Sequence, residues 1–397
     1  MQTKKYSLAS TTWDENEYKA MQNVIDSKIF TMGKKVIEFE EKFSKRFDSK
    51  YSVMVNSGSS ANLLMIAALF YTKNPKLKLN KGDEVIVPSV SWSTTYYPLL
   101  QYGLKLKFVD VDLDTLNFDI ESLKTAVSEK TRVIFMVNLL GNSNEMTEIN
   151  DIISDKNIVK LLDNCESMGS KYQHKESSSN ALMSSFSTFF SHHISTMEGG
   201  VITTNNLEIY HILLSLRAHG WTRNLPNENE VTGTKNPDPF IESFNFVLPG
   251  FNVRPMELSG AIGIEQLKKF DDLLLMRRKN AELFVEMFKD IKGEIPAAKI
   301  EQYYNKKDTY YVNVGTHGFY LLGAKNPLKL SGIPRFSKSA KATYRARVQY
   351  KGKDNYQFTF EMQFSIPSAK KSPYNIAPVK AKNNVAIDKL ELNWFKK

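Results

Sequence analysis

Short apolar runs recur along the first three-quarters of the chain, separated by segments with helical spacing. The runs are nearly continuous rather than alternating, which is typical of strands covered on both faces. Because helical segments alternate with these runs, the pattern predicts an α/β fold with a mostly parallel central sheet and helices on both faces. The predicted strands are residues 51–56, 84–88, 106–111, 133–138 and 159–163, then a short strand at the start of the segment 185–200 and a strand at residues 201–204.

Apolar positions three and four residues apart predict the helices. Two of them are expected to follow each other directly, at residues 256–270 and 271–288. The Asn- and Pro-rich segment 224–239 predicts a loop or flap. The remaining predicted helices are residues 12–30, 36–47 and 206–218.

The pattern changes after about residue 292. Residues 341–350 and 356–364 alternate between apolar and polar side chains, with a short polar segment between them. This arrangement predicts an antiparallel hairpin. We therefore divide the chain into a large α/β domain at residues 1–292 and a smaller, basic, β-rich segment at residues 293–397.

Charge is distributed unevenly between these two parts. The chain carries a net charge of +10, but residues 295–397 hold 19 Lys and Arg against 6 Asp and Glu. The first 294 residues hold 34 against 37. A basic surplus of this kind is either a solvated face or a binding surface for an acidic partner, such as a nucleotide, nucleic acid or phosphorylated lipid.

Composition predicts a cytoplasmic protein without a membrane anchor. No apolar run approaches the roughly 20 residues that span a bilayer, and the first residues lack the apolar core of a secretion signal. The single cysteine, Cys165, excludes an internal disulfide and suits a reducing compartment. No cluster of Cys and His predicts a metal site.

Polar residues at the ends of the predicted strands are the candidate binding groups. Asn56, Trp92, Asn138 and Asp163 follow strands, and we expect them to line one crevice because parallel strands end at the same edge. The small-residue segment 57–62 then enters a helix, whose free N–H groups suit a phosphate. A serine that merely caps this helix is the alternative.

Six segments occur in the order and spacing of the sugar aminotransferase family related to aspartate aminotransferase. The chain resembles that family over about residues 5–292, which implies a fold type I transferase that uses pyridoxal or pyridoxamine phosphate. Residues 293–397 do not resemble the small domain of the family. The six segments are Phe30-Thr-Met-Gly33, Ser57-Gly-Ser-Ser-Ala-Asn62, Trp92-Ser-Thr-Thr95, Asp163-Asn-Cys-Glu166, Glu198-Gly-Gly200 and Pro249-Gly-Phe-Asn-Val-Arg-Pro255.

This resemblance implies how the cofactor is held. The N–H groups of Gly58 and Ser59 and the hydroxyl of Ser187 would bind its phosphate. Trp92 would stack on the pyridine ring, and Asp163 would pair with the ring nitrogen and keep it protonated. A core tryptophan and a helix-capping aspartate are the structural alternatives for these two residues.

The same resemblance implies residues at the edge of the site. Glu166 would lie beside the cofactor, and Asn252 would reach the phosphate of a neighbouring subunit, so a homodimer with shared active sites is expected. His219 and Arg223 are candidates for contacts to the sugar or its diphosphate. The other histidines, His174, His211 and His317, carry no motif and are expected at the surface.

His192 is the departure from the family pattern that bears on the reaction. Relatives carry the cofactor lysine eight residues before the second glycine of Glu-Gly-Gly, and here that position is His192. Imidazole has no primary amine, so it cannot hold pyridoxal covalently, and the cofactor is expected as free pyridoxamine phosphate. With an unperturbed pKa of about 6.5, a histidine is mostly a free base at neutral pH.

Segments 191–193 and 216–223 resemble one branch of the family, the GDP-4-keto-6-deoxymannose 3-dehydratases of colitose and O-antigen synthesis. That branch implies elimination of the sugar C3 hydroxyl, with His192 as the base and glutamate as the amino donor; His193 is the alternative base. Two other functions stay open. One is an ordinary nucleotide-sugar aminotransferase, and the other is a silent fusion whose basic C-terminus binds an acidic partner such as nucleic acid.

Overall fold

The computed structural model describes residues 11–288 except 113, and five strands further along the chain. The chain divides into two compact units. One unit contains Leu8–Ala281 and Asn313–Tyr320, and the other contains Met1–Ser7, Glu282–Val312 and Leu321–Lys397. The predicted boundary after residue 292 falls outside the described residues and stays a prediction.

The elements of the α/β part are numbered in chain order. The helices are α1 Glu15–Ser27, α2 Lys34–Arg46, α3 Gly58–Tyr71, α4 Ser93–Gln101, α5 Ile120–Ala126, α6 Met146–Ile152, α7 Leu207–Leu216, α8 Pro239–Ser243 and α9 Glu257–Phe288. The strands are β1 Tyr51–Val55, β2 Glu84–Pro88, β3 Lys105–Val109, β4 Thr131–Val137, β5 Val159–Asp163, β6 Lys171–Tyr172, β7 Lys175–Glu176, β8 Met183–Ser187, β9 Gly200–Thr204, β10 Glu228–Asn229 and β11 Gly233–Thr234.

Seven of these strands form one sheet, in the order β1-β9-β8-β5-β4-β2-β3. The neighbours from β8 to β3 pair in parallel, whereas β9 is antiparallel to both β8 and β1. The prediction of a mostly parallel central sheet is therefore confirmed. Its C-terminal edge brings together the ends of β1, β5 and β8.

Alternate side chains of the strands pack on opposite faces of the sheet, as expected for strands covered on both sides. One face packs against α3 and α7, and it includes Val53, Val85, Val133, Leu161 and Ile202. On the other face, Met54, Phe186 and Val201 pack against α2 and α9, while Ile86, Ile134 and Leu162 pack against α5 and α6. These buried side chains contribute about 1.5–3 kcal/mol each, and they confirm the prediction of helices on both faces.

Helix α9 corrects the prediction of two consecutive helices. It runs without a break through the expected boundary at Phe270 and Asp271. Asp271 resembles a helix cap in the sequence, but its carboxylate accepts a hydrogen bond from Arg46 Nε at 3.2 Å. Asp271 is therefore a partner for α2 on the side of α9 rather than the start of a new helix.

The segment between α7 and α8 is more ordered than predicted. Within the expected loop at 224–239, β10 and β11 pair as a small antiparallel hairpin. His211 lies beneath it with only 5% of its surface exposed, and its Nδ1 accepts a hydrogen bond from the Glu230 N–H at 3.1 Å. The surface prediction was wrong for His211; it is confirmed for the exposed His174, and His317 lies outside the described residues.

Five strands are described in the C-terminal part, namely β12 Tyr310–Gly315, β13 Gly318–Gly323, β14 Ala340–Tyr350, β15 Tyr356–Ile366 and β16 Lys389–Trp394. Strands β14, β15 and β16 form an antiparallel sheet, with Tyr350 opposite Tyr356. The predicted antiparallel pairing is confirmed, and the predicted hairpin loop lies outside the described residues. Among the described helices, none combines the length and the apolar character that a bilayer crossing requires.

Candidate active site

The C-terminal ends of β5 and β8 meet the loop that enters α3. Asp163 pairs with Ser185, and Gly200 lies opposite both Ser187 and Val55. A Cβ on Gly200 would lie 2.3 Å from the Ser57 carbonyl oxygen. This close approach requires glycine, and it brings the start of β9 against the entrance to α3.

The N-terminus of α3 forms a seat for an anion. The Ser57 hydroxyl caps the helix by accepting a hydrogen bond from the Ser60 N–H at 3.1 Å. The first N–H groups of a helix lack intrahelical acceptors, and the helix dipole is positive at this end. A Cβ on Gly58 would lie 2.8 Å from Ser187 Cβ. The structure therefore places Gly58 and Ser187 side by side, in a geometry that suits a phosphate.

Ser59 links this seat to the next strand end. Its side chain is exposed, and its hydroxyl donates to Thr94 Oγ1 at 3.0 Å. Trp92 precedes α4 as its N-cap residue, and its carbonyl oxygen accepts from the Thr95 N–H at 3.0 Å. The Trp92 side chain is 72% exposed, so the alternative of a core tryptophan was wrong.

Asp163 is 5% exposed at the end of β5. Its Oδ2 accepts hydrogen bonds from Asn62 Nδ2 at 2.7 Å and Thr95 Oγ1 at 2.8 Å. Its Oδ1 accepts from the Cys165 N–H at 3.2 Å. Asn62 is itself held, because its Oδ1 accepts from Ser185 Oγ at 2.6 Å. These donors fix the orientation of a buried carboxylate at the sheet edge.

Asn62, Thr95 and Ser185 were not among the predicted site residues. Asn62 and Thr95 are the last residues of two of the segments that carry the family resemblance, and Ser185 lies seven residues before His192. Small polar side chains facing a buried strand end are a usable signal, since a buried carboxylate requires donors. The sequence shows these polar residues, but only the fold shows that Asn62 and Thr95 donate hydrogen bonds to Asp163.

Glu166 and Cys165 lie next to Asp163 and differ from it in their environment. Burial, and then repulsion from Asp163, raise the pKa of the half-buried Glu166 carboxyl above its ordinary value, although a hydrogen bond from the Leu140 backbone opposes the shift. Burial also raises the pKa of the Cys165 thiol, so the thiol stays protonated. A carboxyl group with a raised pKa, next to a second buried carboxyl group, is a common feature of catalytic sites.

His192 lies on the turn between β8 and β9. The base of the turn is closed by hydrogen bonds from the Thr188 N–H to Gly199 O at 2.9 Å and from the Thr196 N–H to Thr188 O at 2.8 Å. The carbonyl oxygen of His192 accepts from Arg277 Nη2 at 3.2 Å. The His192 side chain is half-buried, whereas His193 is 6% exposed. Of the two imidazoles, that of His192 has the greater access to a ligand.

His219 and Arg223 lie close to Trp221 on the turn after α7. The ring of His219 lies edge-on to Trp221 at 5.3 Å, and the Arg223 guanidinium lies 5.8 Å from the centre of the Trp221 ring. Trp221 stacks on Phe246 at 5.1 Å. His219 is half-buried and Arg223 is exposed, so both remain available to a ligand.

Asn252 is exposed on the extended turn 249–255. It forms a β-bridge with Ala218, and its Oδ1 accepts from Arg254 Nε at 3.1 Å. The next residue, Val253, contacts the end of β1, because its carbonyl oxygen accepts a hydrogen bond from the Asn56 N–H at 3.0 Å. The turn thus connects the His219 region with the loop that precedes α3.

Asn138 does not line the crevice, contrary to the prediction. Its side chain is fully buried, and its Nδ2 donates to Asn164 Oδ1 and Ser177 Oγ, both at 2.9 Å. Its Oδ1 accepts from Asn144. Asn138 therefore belongs to a buried structural network behind the strand ends. Over the described part of the chain, no group of three or more His, Cys, Asp or Glu residues could hold a metal ion.

Comparison with known proteins agrees with this geometry. The sequence model of the DegT/DnrJ/EryC1/StrS aminotransferase family matches residues 11–318. The chain belongs to this family. It is 65% identical over 285 residues to GDP-4-keto-6-deoxy-D-mannose 3-dehydratase of Escherichia coli O55:H7, covering 72% of this chain and 73% of the relative.

Two solved structures of such dehydratases share the fold of this family member. One is the E. coli GDP-4-keto-6-deoxy-D-mannose 3-dehydratase with bound hydrated PLP, with a TM-score of 0.74, 57% identity, and coverage of 83% of this chain and 80% of that one. The other is a GDP-4-keto-6-deoxymannose 3-dehydratase with a trapped PLP-glutamate geminal diamine, also with a TM-score of 0.74 and with 56% identity over 83% and 81% of the two chains. The expected fold type I architecture is confirmed.

Proposed function

We propose that this protein is a pyridoxamine phosphate-dependent dehydratase that removes the C3 hydroxyl of GDP-4-keto-6-deoxymannose, with glutamate as the amino donor. One observation carries the proposal. An accessible imidazole, His192, occupies the β8–β9 turn where aminotransferases of the family carry lysine, and the neighbouring site still fits the phosphate and the ring of the cofactor.

The residues at the sheet edge fit the cofactor. The N–H groups of Gly58 and Ser59 and the hydroxyl of Ser187 would bind its phosphate. Glycine at position 58 allows this, because a Cβ there would lie 2.8 Å from Ser187 Cβ and force the two residues apart. Asp163 would accept a hydrogen bond from the ring nitrogen, and the exposed face of Trp92 would stack on the ring. Bound pyridoxamine phosphate supplies the amine that condenses with the C4 ketone and a conjugated ring that takes up electrons.

Asp163 and Glu166 would serve that ring differently. A buried carboxylate beside the ring nitrogen favours its protonated form, which makes the ring a better electron acceptor. Glu166 has a higher proton affinity than an ordinary glutamate, so it can share a proton with a polar group of the cofactor. Asn62 and Thr95 would keep the Asp163 carboxylate aimed at the ring.

His192 would act as the general base. Its imidazole would accept the proton that is lost from the C4′ carbon of the cofactor, and protonation of the C3 hydroxyl would let that group leave as water. A lysine with the ordinary pKa of about 10.4 would need a shift of roughly 3 units, or about 4 kcal/mol, to serve in the same way. Without a lysine at position 192, the cofactor would also lack a covalent tether there.

Substrate contacts and assembly complete the proposal. His219 and Arg223 would contact the sugar or its diphosphate, and the exposed Asn252 would reach the cofactor phosphate of a second subunit in a homodimer. The free thiol of Cys165 suits the reducing cytoplasm. We place the reaction in the synthesis of deoxysugars such as colitose for an O-antigen.

The direct test supplies purified protein with pyridoxamine phosphate, glutamate and GDP-4-keto-6-deoxymannose. The proposal predicts a GDP-3,6-dideoxy-4-keto sugar, lighter than the substrate by one oxygen atom, together with ammonia and 2-oxoglutarate. A 4-amino sugar as the main product would indicate ordinary aminotransfer instead. If wild-type protein binds the cofactor but forms neither product, the dehydratase assignment fails.

A further inference from the structure

The turn that carries His192 also contains Ser195, three residues further along the chain, and side chains from outside the turn form hydrogen bonds with the backbone of Ser195. The Ser195 N–H donates to Gln266 Oε1 at 3.0 Å, and the Ser195 carbonyl oxygen accepts from Trp13 Nε1 at 3.1 Å. Gln266 belongs to α9, and Trp13 lies just before α1. Both backbone groups of one residue on the turn are thus bound by side chains from two distant parts of the sequence.

The side-chain amide of Gln266 is held in place by several hydrogen bonds. It is fully buried, and its Oε1 accepts from Thr12 Oγ1 at 2.7 Å as well as from Ser195. Its Nε2 donates to Glu17 Oε1 at 2.7 Å. Because the oxygen and the nitrogen of this amide each have defined partners, the amide can adopt only one orientation.

Glu17 anchors the same cluster from α1. It is fully buried, and its carboxylate also accepts from the Asp14 N–H at 2.8 Å and from Lys269 Nζ at 2.7 Å. Asp14 and Glu17 form the capping box of α1. The start of α1 is therefore fixed to α9, and Trp13 is held where its indole N–H meets the turn.

A purely structural role would need only the contacts between α1 and α9. The bonds to Ser195 go beyond that, because they fix the backbone next to the proposed base. Arg277, from the same helix α9, binds the carbonyl oxygen of His192 itself. Helix α9 thus contacts the turn at two residues, Ser195 and His192, and Trp13 binds the carbonyl oxygen of Ser195.

We propose that Gln266 and Trp13 are positioning residues for His192. By holding Ser195, they keep the imidazole at one place relative to the cofactor ring, and neither residue would itself take part in proton transfer. The inference rests on the proposed function of His192. A base displaced by about 1 Å can cost about 100-fold in rate, so loss of such a support is measurable.

The test compares Trp13→Phe and Gln266→Met with a control. Trp13→Phe removes one hydrogen-bond donor and keeps an aromatic ring, and Gln266→Met keeps the approximate side-chain length. Thr131→Val is the control, because it removes the hydroxyl of a buried residue at the opposite end of the sheet, which donates to Glu84 Oε1 at 2.8 Å and accepts from the Ser128 N–H at 3.1 Å. Thermal unfolding followed by circular dichroism shows which variants fold. One folded variant, Trp13→Phe or Gln266→Met, is enough to test the positioning role.

Two measurements are made on each protein. Hydrogen–deuterium exchange of the cofactor-free protein, read in peptides that cover the turn, should become at least about fivefold faster in Trp13→Phe. In the loaded enzyme, kcat for dehydration should fall about tenfold, while KM and the Kd for pyridoxal phosphate stay within about twofold. Thr131→Val should change none of these quantities.

The outcomes distinguish failure of the positioning role from failure of the proposed function. If an active wild type shows the same exchange and kcat as Trp13→Phe and Gln266→Met, the positioning role is overturned and the proposed function stands. A lower kcat with unchanged exchange also overturns it, because the turn has then not moved. If the wild type forms no product, the proposed function fails and the positioning of a catalytic base fails with it.

Discussion

Asn62 Nδ2 lies 2.7 Å from Asp163 Oδ2, across the junction between α3 and β5. The same oxygen accepts from Thr95 Oγ1, so two helices that begin at the sheet edge both send a donor to one buried carboxylate. The proposed phosphate seat at the start of α3 and the proposed partner of the ring nitrogen are therefore joined by hydrogen bonds. A change at Asp163 should affect the chemistry more than the fold.

Asp163→Asn tests that separation. The amide has the same shape, so the protein should fold and bind pyridoxal phosphate, but the negative charge beside the ring nitrogen is lost. We expect dehydration to fall by about 100-fold or more. Steady-state kinetics and cofactor titration check this. Asp119→Asn, at the N-cap of α5, is the control and should leave both unchanged; equal activity of Asp163→Asn and the wild type would remove the assigned role.

Gly58→Ala tests the phosphate seat. The new Cβ would lie 2.8 Å from Ser187 Cβ and 2.9 Å from Cys165 Sγ, so the start of α3 must move away from Ser187. We expect the Kd for pyridoxal phosphate to rise at least about tenfold. Ser59→Ala keeps the backbone N–H and should bind the cofactor within about threefold of wild type. Tight binding by Gly58→Ala would place the phosphate elsewhere.

Glu17→Gln tests the electrostatics of the α1–α9 contact. Burial alone would raise the pKa of Glu17, but hydrogen bonds from Lys269, the Asp14 N–H and Gln266 outweigh it and hold the pKa below the ordinary 4.5. A lowered pKa contributes stability that is present above pH 4.5 and is lost as the pH falls through the folded-state pKa.

We therefore expect Glu17→Gln to lower the free energy of unfolding by about 1–3 kcal/mol at pH 7, with the difference from wild type shrinking below pH 4.5. Urea unfolding at several pH values measures it. Glu15→Gln, an exposed position in the first turn of the same helix, is the control. A difference that stays constant down to the lowest pH would contradict the assigned ionisation of Glu17.

Mixing two inactive variants tests the shared site. If Asn252 serves the cofactor of the neighbouring subunit, a heterodimer of Asn252→Ala with His192→Asn contains one intact site and one doubly altered site. Random exchange of subunits should then restore about a quarter of wild-type activity. Each variant mixed with itself is the control. No recovery after verified subunit exchange would mean that Asn252 and His192 act within one chain, or that Asn252 is not needed.

The strands were the most predictable part of the fold. Residues 84–88 and 159–163 are apolar runs bounded by polar turns, and they match β2 and β5. Helix ends were less predictable, because Asp271 has the chemistry of a cap but serves Arg46 on α2. His211 was misplaced for the same reason: its partner, the Glu230 N–H, comes from a hairpin that the local pattern does not show.

The candidate site was predictable where a predicted strand ends in a polar residue, as at Asp163, or is followed by small residues that enter a helix, as at 57–62. It was not predictable which polar residues support them. Asn138 is as polar as Asn62, but the fold directs Asn138 into a buried network and Asn62 to Asp163. The contact of Gln266 with Ser195 joins residues far apart in sequence, and no spacing rule reveals it.

The most direct test of the central claim is borohydride reduction of the protein loaded with pyridoxal phosphate, followed by mass analysis of its peptides. With His192 in place, the account predicts no lysine-linked pyridoxyl group in the wild type. His192→Lys should acquire one at position 192 and lose dehydration. A pyridoxyl group on a lysine of the wild-type protein, or full dehydration by His192→Lys, would contradict the account.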